Sequence, residues 1–179
     1  MNIILLTHQR ELGRETNTGR LVSAVMLNQV NVVIWDRVKP NRYLLDLIAG
    51  QKVGLLFPKQ EHSGLNDIQA PQQCFVDIDS DNAHQLAAFS HVILIDSTWQ
   101  EARKIYNRSD YLHQLTKITL DNEHPSTFSL RRNQIEGGLC TAECACLLLS
   151  YSGQYKEASE LREKLANFNP KGERGESYK

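Results

Sequence analysis

The chain has 179 residues, of which 41% are hydrophobic and 23% charged, and its formal net charge at pH 7 is −1. That is the length and composition of one soluble domain that can bury a core without disulfides or metals. It is no polycation, so a nucleic acid would have to meet a local basic patch.

NIILLT (2–7) predicts a strand. Its apolar run is short and has no basic leader or cleavage pattern, which argues against a signal peptide. No segment approaches membrane-spanning length, and a cytoplasmic protein is expected. TGRLVSAVMLN (18–28) predicts a helix capped by Thr18, with Leu21, Val22, Val25 and Met26 inward. VNVVIW (30–35) predicts a second strand, NRYLLDLIAG (41–50) a helix between an Asn41 cap and Gly50, and KVGLLFP (52–58) a third strand stopped by Pro58. KQEHSGLNDIQAPQQ (59–73) has no period and predicts a surface loop. FVDI (75–78) predicts a short strand, DNAHQLAAF (81–89) a helix, HVILID (91–96) a buried strand and TWQEARKIYN (98–107) the helix after it. KITL (117–120) predicts a strand, and LCTAECACLLLSYSG (139–153) and QYKEASELREKLANF (154–168) two helices. Residues 1–168 thus form one domain, and the polar tail 169–179 is expected to be mobile.

Strands alternating with helices predict an α/β fold with a mostly parallel sheet covered by helices. The strands read as continuous apolar runs, as in a sheet buried on both faces. Of the cysteines, Cys74, Cys140, Cys144 and Cys146, none forms a CxxC pair. They read as small buried apolar residues, and no metal is expected.

The informative stretch is DSTW (96–99), where a buried strand turns into a helix. In a parallel sheet, ligands gather beyond the carboxyl ends of the strands. Asp96 stands at such an end, beside a helix N-terminus that Ser97 or Thr98 can cap and whose dipole favours an anion. Trp99 brings a flat apolar surface to the same rim. An aspartate before a helix is equally an ordinary cap, and a tryptophan in a first turn is commonly core.

DSTW followed by QEARKI resembles the D-x-T-W signature of the DTW-domain family. HQRELGRETNTGRL (8–21) resembles that family's N-terminal block, GLLFP (54–58) its strand ending in Phe/Tyr-Pro, and LRR (130–132) with LCTAECA (139–145) its C-terminal block. The blocks stand in the family's order. Many bacterial members begin with a cysteine-rich zinc-binding segment, whereas the first cysteine here is Cys74, so the resemblance does not extend to that module.

The resemblance implies a tRNA-uridine aminocarboxypropyltransferase with a SPOUT-like fold, a class that threads a knot near its C-terminus. Such an enzyme moves the 3-amino-3-carboxypropyl arm of S-adenosylmethionine, rather than its methyl group, to N3 of a uridine in tRNA. It implies catalytic roles for Asp96, Thr98 and Trp99. Asp96 is expected to accept the N3 proton, to hold the arm's ammonium group or to stabilise the sulfonium; Trp99 is expected to buttress it. Leu56, Phe57, Pro58, Asp96, Ser97, Leu139, Thr141 and Glu143 are the candidate co-substrate contacts. Thr141 is also expected to cap the helix that follows. Arg10, Arg14, Thr16, Asn17, Thr18, Arg20, Arg103, Lys104, Arg131 and Arg132 are candidate RNA contacts, together with Arg108. His8 and His124 flank two blocks, but a lone loop histidine reads as solvent-exposed. Two other readings stand beside this one. One is a SPOUT-like methyltransferase using the same donor; the other is an RNA-binding module without turnover. The sequence leaves the oligomeric state open, with a monomer slightly favoured.

Overall fold

The computed structural model describes residues 1–58, 75–120 and 138–168. In chain order these form β1 (Asn2–Thr7), α1 (Gly19–Val25), β2 (Val30–Ile34), α2 (Arg42–Gly50), β3 (Val53–Leu56) and β4 (Phe75–Ile78). They continue as β5 (His91–Asp96), α3 (Trp99–Asn107), α4 (Asp110–His113), β6 (Thr116–Leu120), α5 (Thr141–Tyr151) and α6 (Tyr155–Ala166). The six strands make one sheet in the order β2-β1-β5-β3-β6-β4, and every neighbouring pair is parallel. The fold is α/β, with helices on both faces.

The strand sequences divide between two cores because alternate residues point to opposite faces. Ile3, Leu5, Val92 and Leu94 face a core shared with Val22 and Met26 near α1, Leu148 and Leu149 of α5 and Leu161 of α6. Ile4, Leu6 and Ile93 face the other, with Leu44 of α2, Ile105 of α3 and Leu112 of α4. Gly54 lets β3 lie close to its neighbours, since a Cβ there would collide with Ile118 and crowd Phe89.

This division locates a crevice. The crossover from β1 to β2 runs through α1 on the first face, and the crossover from β5 to β6 runs through α3 and α4 on the second. β1 and β5 are adjacent, yet the chain leaves them in opposite directions. That is a topological switch point, the place where open parallel sheets admit ligands. Thr7 and Asp96, paired in register, are the last residues of these two strands.

Several sequence expectations are corrected. Residues 81–89 hold a 3-10 turn at Ala83–Ala88 instead of an α-helix. α4 is too short to have a period that a sequence window detects. β2 is an edge strand with exposed Asn31, Val32 and Ile34, so the sheet is covered in its centre and not at this margin. Lys117, in a run that reads as apolar, is 1% exposed; its Nζ donates to the His113 carbonyl at 2.5 Å and lies 5.6 Å from the Tyr106 ring centroid. The expected loop 59–73 and tail 169–179 lie outside the described residues.

Candidate functional site

Asp96 is 1% exposed although it ends a strand at the rim of the sheet. Its carboxylate is covered by side chains from three separate parts of the chain. Thr141 Oγ1 donates to Oδ1 at 2.8 Å, while Asn17 Nδ2 at 3.0 Å and Thr7 Oγ1 at 3.4 Å donate to Oδ2. Gly19 completes the enclosure. A Cβ built on it would lie 2.5 Å from Asp96 Oδ2, so the backbone can rest against the carboxylate only where no side chain intervenes. Burying a carboxylate is costly unless donors surround it, and here they do.

The same contacts knit the loop after β1 to the start of α5. Asn17 Nδ2 also donates to the Glu11 carbonyl, and Asn17 Oδ1 accepts from the Arg20 N–H. Thr18 makes no side-chain cap bond to α1. Its Oγ1 instead accepts from the Ala142 N–H at 3.3 Å, across to α5. Thr18 thus holds the expected N-cap position of α1, but tertiary contact with α5 takes up its hydroxyl in place of a cap bond. Thr141 is not the cap of α5 but its first residue. Cys140 holds the N-cap position, and Glu143 Oε2 accepts from the Cys140 N–H at 2.8 Å.

α3 begins as expected, with Thr98 at its N-cap accepting from the Glu101 N–H. Ser97 is buried, and its hydroxyl donates to the Thr98 carbonyl. Trp99 opens the helix partly exposed; the side chains that hydrogen-bond Asp96 are Thr7, Asn17 and Thr141. In the GLLFP segment, Leu56 is partly buried, Pro58 exposed and Phe57 a core residue stacked on Tyr106 with ring centroids 4.4 Å apart. Gly138 and Leu139 are partly buried on the approach to α5.

The basic residues divide into committed and free. Arg14 pairs at 2.7 Å with Glu11, itself 1% exposed. Arg20 donates to the Glu15 carbonyl and lies over the Phe168 ring. Arg10, Arg103, Lys104 and Arg108 are exposed, with no ion pair among the described residues. Arg131, Arg132 and His124 lie outside the described residues.

Two contributors were not singled out by sequence. Thr7 is one; its signal is a hydroxyl closing an apolar strand beside the strand of Asp96. Trp35 is the other. It follows β2, its backbone N–H donates to the Thr7 carbonyl at 2.9 Å, and its Nε1 donates to Ser109 Oγ at 2.9 Å. Against it lies the His8 ring, 5.8 Å away between centroids at 31°. No local pattern joins residues 8, 35 and 109; only the parallel register does. A pocket of about 310 Å³ lined by Lys52, Phe89 and Thr116, among others, is at the amino ends of the strands, away from Asp96.

Fold and site together define a parallel α/β protein whose switch-point crevice is organised around a buried, triply hydrogen-bonded aspartate. The chain belongs to the DTW domain family, whose model matches residues 1–171. It is also similar to the Drosophila melanogaster protein named tRNA-uridine aminocarboxypropyltransferase 2. The two are 25% identical over 152 residues, covering 83% of this chain and 55% of that protein. The chain thus spans about half the length of this curated relative. No solved structure matches the chain.

Proposed function

We propose that the chain transfers the 3-amino-3-carboxypropyl arm of S-adenosylmethionine to N3 of a uridine in tRNA. The observation that carries this reading is the convergence on Asp96. Three blocks that resemble the family's motifs, around Asn17–Gly19, Asp96–Trp99 and Thr141–Glu143, meet at one buried carboxylate beside the switch point. Membership of the DTW domain family and the name of the fly relative support the same reaction.

In the transfer, uridine N3 attacks the γ-carbon of the arm. The carbon–sulfur bond breaks with its electron pair passing to sulfur, methylthioadenosine leaves, and the N3 proton is lost to solvent or a base. The selection of the γ-carbon over the methyl is a matter of alignment, because effective molarity collapses with misplacement. A pocket for this donor would draw on Leu56 and Leu139 for apolar cover. Pro58 and Ser97 stand just beyond the ends of β3 and β5 and Glu143 in the first turn of α5, with Phe57 in the core. Asp96 suits a positioning role better than that of a base. At 1% exposure, with both oxygens taken, it has almost no surface on which to meet a substrate proton. Its service is to hold the loop after β1 and the start of α5 in one arrangement.

The test is label transfer to unmodified tRNA from two donors, one labelled in the carboxyl carbon and one in the methyl. Carboxyl label alone in the RNA is the expected result. Methyl label in the RNA would establish a methyltransferase instead. No label, with total cellular RNA also inert, would leave an RNA-binding module.

A further inference from the structure

We infer that His8 and Trp35, which follow the carboxyl ends of β1 and β2 beside the switch point, form a stacking platform for a nucleobase of the RNA substrate. The inference rests on the proposed RNA substrate and adds where its base is received.

The platform is fixed from three sides. Trp35 packs on the core beneath α2, α3 and α4, and its indole N–H is tied to Ser109, which is 1% exposed. His8 is held by the Arg10 backbone N–H, which donates to its Nδ1 at 3.1 Å. In the neutral ring the remaining proton is then on Nε2, which has no partner among the described residues and is free to donate to a base edge. Both rings are partly exposed. Rigid aromatic faces at a rim accept bases at little entropic cost, and every base has a face to offer.

Charge selects the ligand. Each of the three residues has an exposed arginine within two positions: Arg10 after His8, Arg37 after Trp35 and Arg108 before Ser109. None has an ion pair among the described residues. Lys39 adds a fourth cation. Glu11 beside Arg10 is buried and paired with Arg14; the exposed carboxylates adjoining these residues are Asp36 and Asp110. The first is turned onto the N–H groups of Val38 and Lys39, and the second lies 3.9 Å from His113. Exposed cations next in the chain to a pair of partly exposed rings suit a polyanion that carries bases. They disfavour the adenosine of S-adenosylmethionine, whose sulfonium is itself positive. The site is also within reach of the chemistry. Trp35 follows β2 and Asp96 ends β5, with β1 between, so two strand spacings of roughly 10 Å separate them.

The experiment reads binding without turnover. The chain has two tryptophans, Trp35 and Trp99. W99F leaves Trp35 as the only indole, and unmodified tRNA is expected to quench its emission saturably. Affinity for the same tRNA is expected to fall about 5- to 100-fold in H8A and in W35L, which removes the aromatic face but leaves an apolar side chain on the core. Replacing Arg10, Arg37 and Arg108 together by Gln is expected to lower the salt dependence, log K against log salt, by about two. Unquenched Trp35 under tRNA that demonstrably binds would overturn the platform. So would unchanged affinity in both ring variants, or quenching by methylthioadenosine alone. A chain that moves no arm yet shows the quenching and the affinity losses keeps the platform and loses the reaction.

Discussion

Asp96 receives three hydrogen bonds from neutral side chains, and its two nearest variants separate its roles. In Asp96→Asn, the amide oxygen can still accept from Asn17 and Thr7, while the amide N–H₂ can donate to Thr141 Oγ1. The expected outcome is a folded protein that keeps a substantial part of its turnover. Asp96→Ala takes the buried acceptor from Thr141 and from one Asn17 N–H, while the Thr7 hydroxyl keeps the Leu5 carbonyl at 3.3 Å; each donor left unmatched costs about 1–3 kcal/mol, so loss of both melting temperature and turnover is expected. Thermal melting and label transfer on the pair decide the matter. A folded but inactive Asp96→Asn protein would return Asp96 to the role of proton acceptor. The residue type and its place at a strand end were legible in DSTW. Its burial was not, because the groups that enclose it are distant in the chain.

Between elements, the contact that matters is the one joining the loop after β1 to α5. Gly19 is the first residue of α1 and rests on Asp96, and Thr18 bridges to Ala142. Gly19→Ala is favourable for helix propensity, yet its methyl would land on the carboxylate and wedge α1 away from the end of β5. A loss of about 1–3 kcal/mol is expected, read by urea unfolding, together with reduced label transfer. Unchanged stability and turnover would mean that the junction yields without consequence. The misread elements share one cause. The hydroxyls of Thr18 and Thr141 read as capping groups because those of Ser and Thr before a helix commonly are. Each instead spends its hydroxyl on a tertiary partner. β2 reads as a buried strand because its residues are branched and apolar, and only the strand order places it at the margin.

For the molecule as a whole, Cys140 at the N-cap of α5 and Cys146 within it couple the core to pH. Burial first, and then the charge of Glu143, push the Cys140 thiol from its ordinary 9.0 up to about 12. Burial pushes Cys146 up to about 11, with Glu143 adding to the rise and Arg162 opposing it. Above pH 9 the unfolded chain ionises these thiols while the folded chain keeps them protonated. The native state then binds more protons, and stability falls as pH rises from about 9 towards 11. Melting temperature against pH is expected to decline over that window, and a Cys140→Ser, Cys146→Ala variant to decline less. A decline undiminished in the variant would place its origin in other groups.

The set of strands, the α/β class and the motif blocks are legible in the residues alone, because apolar runs and strand-to-helix junctions are local features that a short window contains. The all-parallel order, the switch point between β1 and β5, the enclosure of Asp96 and the meeting of His8, Trp35 and Ser109 were decided only by tertiary structure. These depend on which strands lie side by side. Parallel neighbours are joined by long crossovers, so the partners that complete a site are separated by tens of residues and leave no local trace.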